Sequence, residues 1–106
     1  MRFMNRWDVE RAEAQYSEHP ILGPATRTLR NLMHWTDQNS DGWAYWPKPT
    51  RAAARLMEMI ERDGTSQYRF DEDRDDVTAA EYAAALRPIK SFRTRHGATF
   101  EIENPA

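Results

Sequence analysis

The sequence predicts a single α+β domain over residues 1–106, mainly helical, with about four helices and a small two-stranded antiparallel sheet. Three observations predict it. Apolar residues recur at offsets of three and four in four separate stretches. Segments 66–71 and 98–103 instead alternate apolar and polar side chains, as half-buried strands do. Finally, 106 residues of which 40% are hydrophobic suffice for one core and not for two domains.

The elements follow in order. Asn5, with Asp8 three positions on, supplies an N-cap and an acidic first turn, and Val9, Ala12 and Tyr16 follow at helical spacing. A helix is expected over 6–17. Pro20, Gly23 and Pro24 punctuate the chain, and Pro24 suits the first turn of a second helix. Its face is Ala25, Leu29, Leu32, Met33 and Thr36, so it should span 25–37 and stop in the polar stretch 37–42. Pro47 and Pro49 disfavour helical dihedrals at Trp46 and Lys48, so 43–49 reads as an extended aromatic linker. Thr50 then caps a third helix over 51–63, with Ala53, Leu56, Met57 and Ile60 as its stripe and Gly64 as its stop. Met57 and Met59 read as gap-filling core.

Beyond that helix, Tyr68 and Phe70 fall on one side of the first strand, and an acidic run covers 71–76. Thr78 with Glu81 has the spacing of a capping box, and Val77 with Tyr82 that of a hydrophobic staple, so a fourth helix is expected over 79–95. Tyr82, Ala85, Leu86, Ile89 and Phe92 hold one helical face through Pro88. A proline ring there removes a donor and crowds the preceding turn, which predicts a kink or break near Leu86 and Arg87. Gly97 ends the helix. Phe100 and Ile102 would then join Tyr68 and Phe70 on the core side of the sheet.

Composition excludes several functions. Without cysteine there is no disulfide framework, thiol nucleophile or Cys-ligated metal, which fits a reducing compartment, and the cytoplasm is the expected location. No stretch is apolar enough for a membrane span or an export signal. A net charge of −2 argues against a dedicated polyanion binder. Four Trp, four Tyr and four Phe, with Arg as 13 of the 15 basic residues, favour protein contacts, since Trp, Tyr and Arg are the residue types on which interfaces concentrate their energy.

The motifs divide similarly. Asp37, Asn39, Asp41 and Gly42 match the first half of a calcium loop, but its twelfth position is Lys48 where a bidentate Glu is required, so no calcium is expected. Residues 78–86, followed by Arg87, Lys90, Arg93, Arg95 and His96, raise a winged-helix-like DNA-binding reading, with the predicted hairpin as wing. Arg87–Pro88 replaces the small glycine-containing turn that motif needs, and the acidic run could neutralise the basic segment. His19, His34 and His96 lack metal-ligand spacing; no serine has a nucleophile-elbow setting; no glycine-rich phosphate loop occurs; and adjacent exposed acids make poor general acids. No catalytic residue, metal or cofactor is therefore expected.

The stretch 39–50, Asn-Ser-Asp-Gly-Trp-Ala-Tyr-Trp-Pro-Lys-Pro-Thr, with the Ala- and Arg-rich helix after it, resembles small proteins of actinobacteria and their phages. That resemblance covers the middle third and implies a modulator of host proteins. The expectation is a non-enzymatic intracellular protein-binding module. Its contact residues would be Trp43, Tyr45, Trp46, Arg87, Lys90, Arg93 and Arg95, its partner an unknown protein, and DNA binding through 87–96 the alternative.

Overall fold

Among the residues that the computed structural model describes, four helices make up the fold: α1 (Arg6–Gln15), α2 (Leu22–Asn39), α3 (Pro47–Glu61) and α4 (Ala79–His96). Those residues are 4–39, 47–61, 70 and 73–105. α1 packs on α2, α2 on α3, and α3 on α4. The first and last pairs run antiparallel: Arg6 reaches Asp37 and Glu13 reaches Arg30, while early α3 residues line a groove with late α4 residues. The helical stripes read from the sequence are buried between them, including Val9, Ala12, Tyr16, Leu29, Leu32, Leu56, Met57, Ile60, Tyr82, Leu86 and Ile89. Met59 is core as well.

Local chemistry sets the helix ends. Asn5 Oδ1 accepts from the Asp8 amide at 2.9 Å while the Asn5 amide donates to Asp8 Oδ2 at 3.1 Å, a reciprocal capping box. Thr78 Oγ1 accepts from the Glu81 amide at 3.1 Å, and Val77 and Tyr82 are both buried beside that cap. Gly97, at φ 60°, closes α4 in the left-handed conformation that a Cβ disfavours.

α3 departs from expectation at its start. It begins at Pro47, so Pro47–Pro49 belong to a helix and not to an extended linker. The physical reason is that amides of the first turn have no intrahelical acceptor, so two prolines there forfeit nothing. The Gly64 stop lies outside the described residues. α4 likewise runs unbroken through Pro88, so the expected break does not occur. Tyr82, Ala85, Leu86, Ile89 and Phe92, buried on both sides of the proline, hold the helix to one core face.

The two-stranded sheet is not seen: among the described residues there is no strand. Residues 66–69 lie outside the described residues. Segment 98–103 is irregular, and its backbone is held by side chains instead of by a ladder partner. Arg93 Nη1 donates to the Phe100 carbonyl at 3.3 Å and Asn31 Nδ2 to the Glu101 carbonyl at 3.3 Å. The Glu103 amide donates to Thr28 Oγ1 at 3.0 Å, and the Glu103 carbonyl accepts from the Tyr82 hydroxyl at 2.5 Å. The tail thus straps across α2 in the opposite direction, from Trp35 beside Phe100 to Arg27 beside Glu103. Three extended residues cover about the same length as the seven or eight helical residues beneath them. Phe100 is buried and Ile102 half-buried against the core, so the alternation was a true sign of an extended chain with one covered face.

Candidate partner-binding surface

The basic segment of α4 does not form one patch. Arg87 and Lys90 are exposed on the side opposite the buried face. Arg93 and Arg95 lie roughly 160° apart around the axis, as a two-residue step in a helix requires. Arg95 therefore flanks α3, whereas Arg93 turns to the tail, donating to the Phe100 carbonyl with its guanidinium carbon 6.0 Å from the Phe100 ring centre. Arg93 is thus engaged by the strap while remaining half-exposed.

Beside Arg95 a groove of about 550 Å³ runs between α3 and α4, lined by Arg51, Ala52, Pro88, Ser91, Phe92, Arg95 and His96. Its apolar floor is Ala52, Pro88 and Phe92; its rim is cationic, and His96 lies with its ring centre 4.5 Å from that of Phe92. Trp35 meets Phe92 edge-on at 5.8 Å from behind, which fixes the floor from the α2 side. Arg51, Arg87, Lys90 and Arg95 are exposed, and none has an ion-pair partner among the described residues. Cations in the last turn of a helix do favour its negative end by about 0.3–1 kcal/mol each, but Arg51, Arg87 and Lys90 lie outside that turn. Trp43, Tyr45 and Trp46 lie outside the described residues, as do residues 40–42 of the polar stretch 37–42. Asp37 itself pairs with Arg6 at 2.6 Å.

The acidic run does not neutralise the C-terminal part of this surface. Asp73 to Asp76 precede α4, whose length separates them from His96 by about 25 Å. What sequence reasoning missed there is Arg74. Its guanidinium donates to the carbonyls of Ile60 at 2.6 Å and Met59 at 3.1 Å, closing the C-terminal end of α3, and makes a paired contact with Asp76 at 3.0 and 3.3 Å. Burial works most strongly against its charge, but Asp76 and the neighbouring Tyr16 together outweigh it and the pKa is raised. The Arg74 carbonyl in turn accepts from His19 Nε2, while His19 Nδ1 accepts from the amides of Ile21 at 3.1 Å and Leu22 at 3.0 Å. His19 is therefore the cap of α2, held as the Nε2–H tautomer, and not a free imidazole. No sequence signal marks either residue, because each bonds backbone carbonyls or amides that any side chain would present.

A second polar node holds the tail. The buried Tyr82 hydroxyl meets Thr28 Oγ1 at 2.8 Å and the carbonyls of Pro24 and Glu103 at 3.2 and 2.5 Å. Burial pushes its pKa up to about 12, with Glu103 adding and the Thr28 bond and Arg27 opposing. Arg27 bonds Glu103 at 2.6 Å, which raises the guanidinium pKa.

Two further features went unread. Trp7 is 75% exposed, the exposed large hydrophobic residue among those described, and a groove between α1 and α2 lies beside it. No cluster of metal-binding side chains occurs among the described residues, and no helix among them is long and apolar enough to cross a membrane. Comparison with family models, curated proteins and solved structures finds no match.

Proposed function

We propose that the protein is a non-enzymatic cytoplasmic protein-binding module whose α3–α4 groove and neighbouring α4 cations receive an acidic, partly apolar segment of another protein. The observation that carries this reading is a groove with a floor of Ala52, Pro88 and Phe92 and a rim of Arg51 and Arg95, exposed cations without ion-pair partners among the described residues, with Arg87 and Lys90 exposed elsewhere on α4. Carboxylates of a partner complement the rim, and an aliphatic or aromatic anchor fits the floor, the usual division between polar rim and apolar centre of an interface. Trp43, Tyr45 and Trp46, the aromatic contact residues expected from the sequence, precede α3 in the sequence and lie outside the described residues. The resemblance to small actinobacterial and phage proteins makes a host or regulatory protein the natural partner.

The winged-helix alternative has less support, since α4 has no turn at Arg87–Pro88 and no strand occurs among the described residues to form a wing. Fluorescence anisotropy with a labelled acidic, leucine-containing peptide and with a labelled DNA duplex separates the two. The proposal expects peptide binding that weakens at least tenfold in Arg95→Glu, and duplex binding that is weak and vanishes at moderate salt. Tight duplex binding lost in the same variant, with no peptide binding, would overturn it.

A further inference from the structure

We propose that the group received by the α3–α4 groove is a phosphotyrosine side chain of the partner protein. This rests on that groove being the partner-binding surface and goes further by naming the chemistry that enters it. Two guanidinium groups line the groove from different helices, Arg51 from α3 and Arg95 from α4. Both are exposed, and neither has an ion-pair partner among the described residues.

The lack of acids sets this groove apart. With 17 Asp and Glu in the chain, an acid is the ordinary neighbour of an arginine. The α1–α2 groove holds Glu10 and Asp37, a groove around Arg55 holds Glu58 and Glu81, and one beside His19 holds Glu18, Asp73 and Asp75. No carboxylate is among the described residues that line the α3–α4 groove. Its other polar groups are the Ser91 hydroxyl, one turn before Arg95 on the same face of α4, and the His96 imidazole. The rim is therefore a set of donors that nothing within the groove neutralises.

Charge and shape together select the occupant. A carboxylate brings one charge and two oxygens, which a single guanidinium can take in a bidentate pair. A phosphate monoester brings a charge of about −1.5 to −2 and three acceptor oxygens, enough for guanidinium groups from both walls and a hydroxyl. Clusters of arginine are a recurring means of binding phosphorylated segments. The apolar floor of Ala52, Pro88 and Phe92 then decides which phosphorylated residue fits. Phosphoserine holds its phosphate close to the backbone and leaves that floor uncovered. A tyrosine ring covers it, and Phe92, fixed edge-on by Trp35 at 5.8 Å, gives the ring an aromatic neighbour. One side chain thus supplies both the anionic and the apolar parts that the groove calls for.

Fluorescence anisotropy on the full chain tests this with one acidic, leucine-containing peptide made in four forms, carrying tyrosine, phosphotyrosine, phosphoserine or glutamate at a single position. The phosphotyrosine form should bind at least tenfold more tightly than each of the others. Arg51→Gln and Arg95→Gln should each cut that preference to less than about threefold with the melting temperature unchanged, because both side chains are exposed. Arg55→Gln, one turn along α3 beside Glu58 and Glu81, makes the same change in net charge and should leave the preference intact. Equal binding of the phosphotyrosine and glutamate forms would overturn the proposal while leaving the groove as a site for acidic segments. A phosphoserine form that binds as tightly would also overturn it, as would a preference that survives in Arg51→Gln and Arg95→Gln or falls equally in Arg55→Gln. Failure of all four forms to bind would overturn both the proposal and the reading on which it rests.

Discussion

Segments 73–77 and 87–96 look alike as sequence, both short runs of charge, one before α4 and one in its C-terminal half, and they differ in whether their charges have partners. In the first, the donors of Arg74 are placed on the Ile60 and Met59 carbonyls and on Asp76, and its own carbonyl is taken by His19. In the second, Arg87, Lys90 and Arg95 stand in solvent beside a groove, and Arg93 alone is folded in. The first arrangement holds the molecule together. The second leaves charge for a partner to neutralise. A side chain that closes a helix end and a side chain that meets another protein can therefore share residue type and setting in the sequence, and only its partners tell them apart.

Substitutions sharpen the contrast. The largest effect is expected at Arg74, where Arg74→Ala strands the terminal α3 carbonyls and should lower stability by about 2–3 kcal/mol in urea unfolding. An effect under about 1 kcal/mol would mean that water replaces the guanidinium there. Next is Tyr82→Phe, which removes the hydroxyl joining Thr28, Pro24 and Glu103, at a cost of roughly 1–3 kcal/mol.

The same hydroxyl predicts a pH dependence. Its folded pKa of about 12 exceeds the unfolded value of about 10, so the unfolded chain loses the proton first. Stability is then fully present below pH 10 and falls as pH rises from about 10 towards 12. Tyr82→Phe should lack this decline, which parallel alkaline melting curves of the two proteins would show. Tyr16 is the control, being equally buried but with no hydrogen-bond partner for its hydroxyl among the described residues. Tyr16→Phe should change stability by less than about 1 kcal/mol, in the stabilising direction if at all. The smallest effect is expected in the open region, where Arg87→Ala should stay within about 0.5 kcal/mol of wild type in the same unfolding assay.

Much of the helical framework was legible in the sequence because it depends on local signals. The capping box at Asn5–Asp8, the Thr78 N-cap and the left-handed Gly97 rest on residues within a few positions of each other, and the apolar stripes report burial at a fixed period. The tail was half legible. Alternation at Phe100 and Ile102 gave an extended chain with a buried face, but the sequence could not show that side chains of α2 and α4, not a strand, hold its backbone. Rules about local dihedrals misjudged Pro47 and Pro49, where first-turn geometry overrides them, and at Pro88 the helix continues where a break was one of the two expected outcomes. The candidate surface was legible only as a collection of basic residues: helical phase sends Arg93 one way and Arg95 the other, and Arg51 joins through the α3–α4 pairing, which is a tertiary fact. Trp7 escaped because a tryptophan near a helix start reads equally as core or surface.

The most direct test of the division between a closed and an open region is an amide and side-chain NMR titration of the full chain with the acidic, leucine-containing peptide. Resonances of Arg51, Ala52, Arg87, Ser91, Phe92, Arg95 and His96 should shift progressively with peptide, while those of His19, Arg74, Asp76 and Tyr82 stay in place. Shifts confined to the His19–Arg74 region, or none along the α3–α4 groove at saturating peptide, would contradict the account.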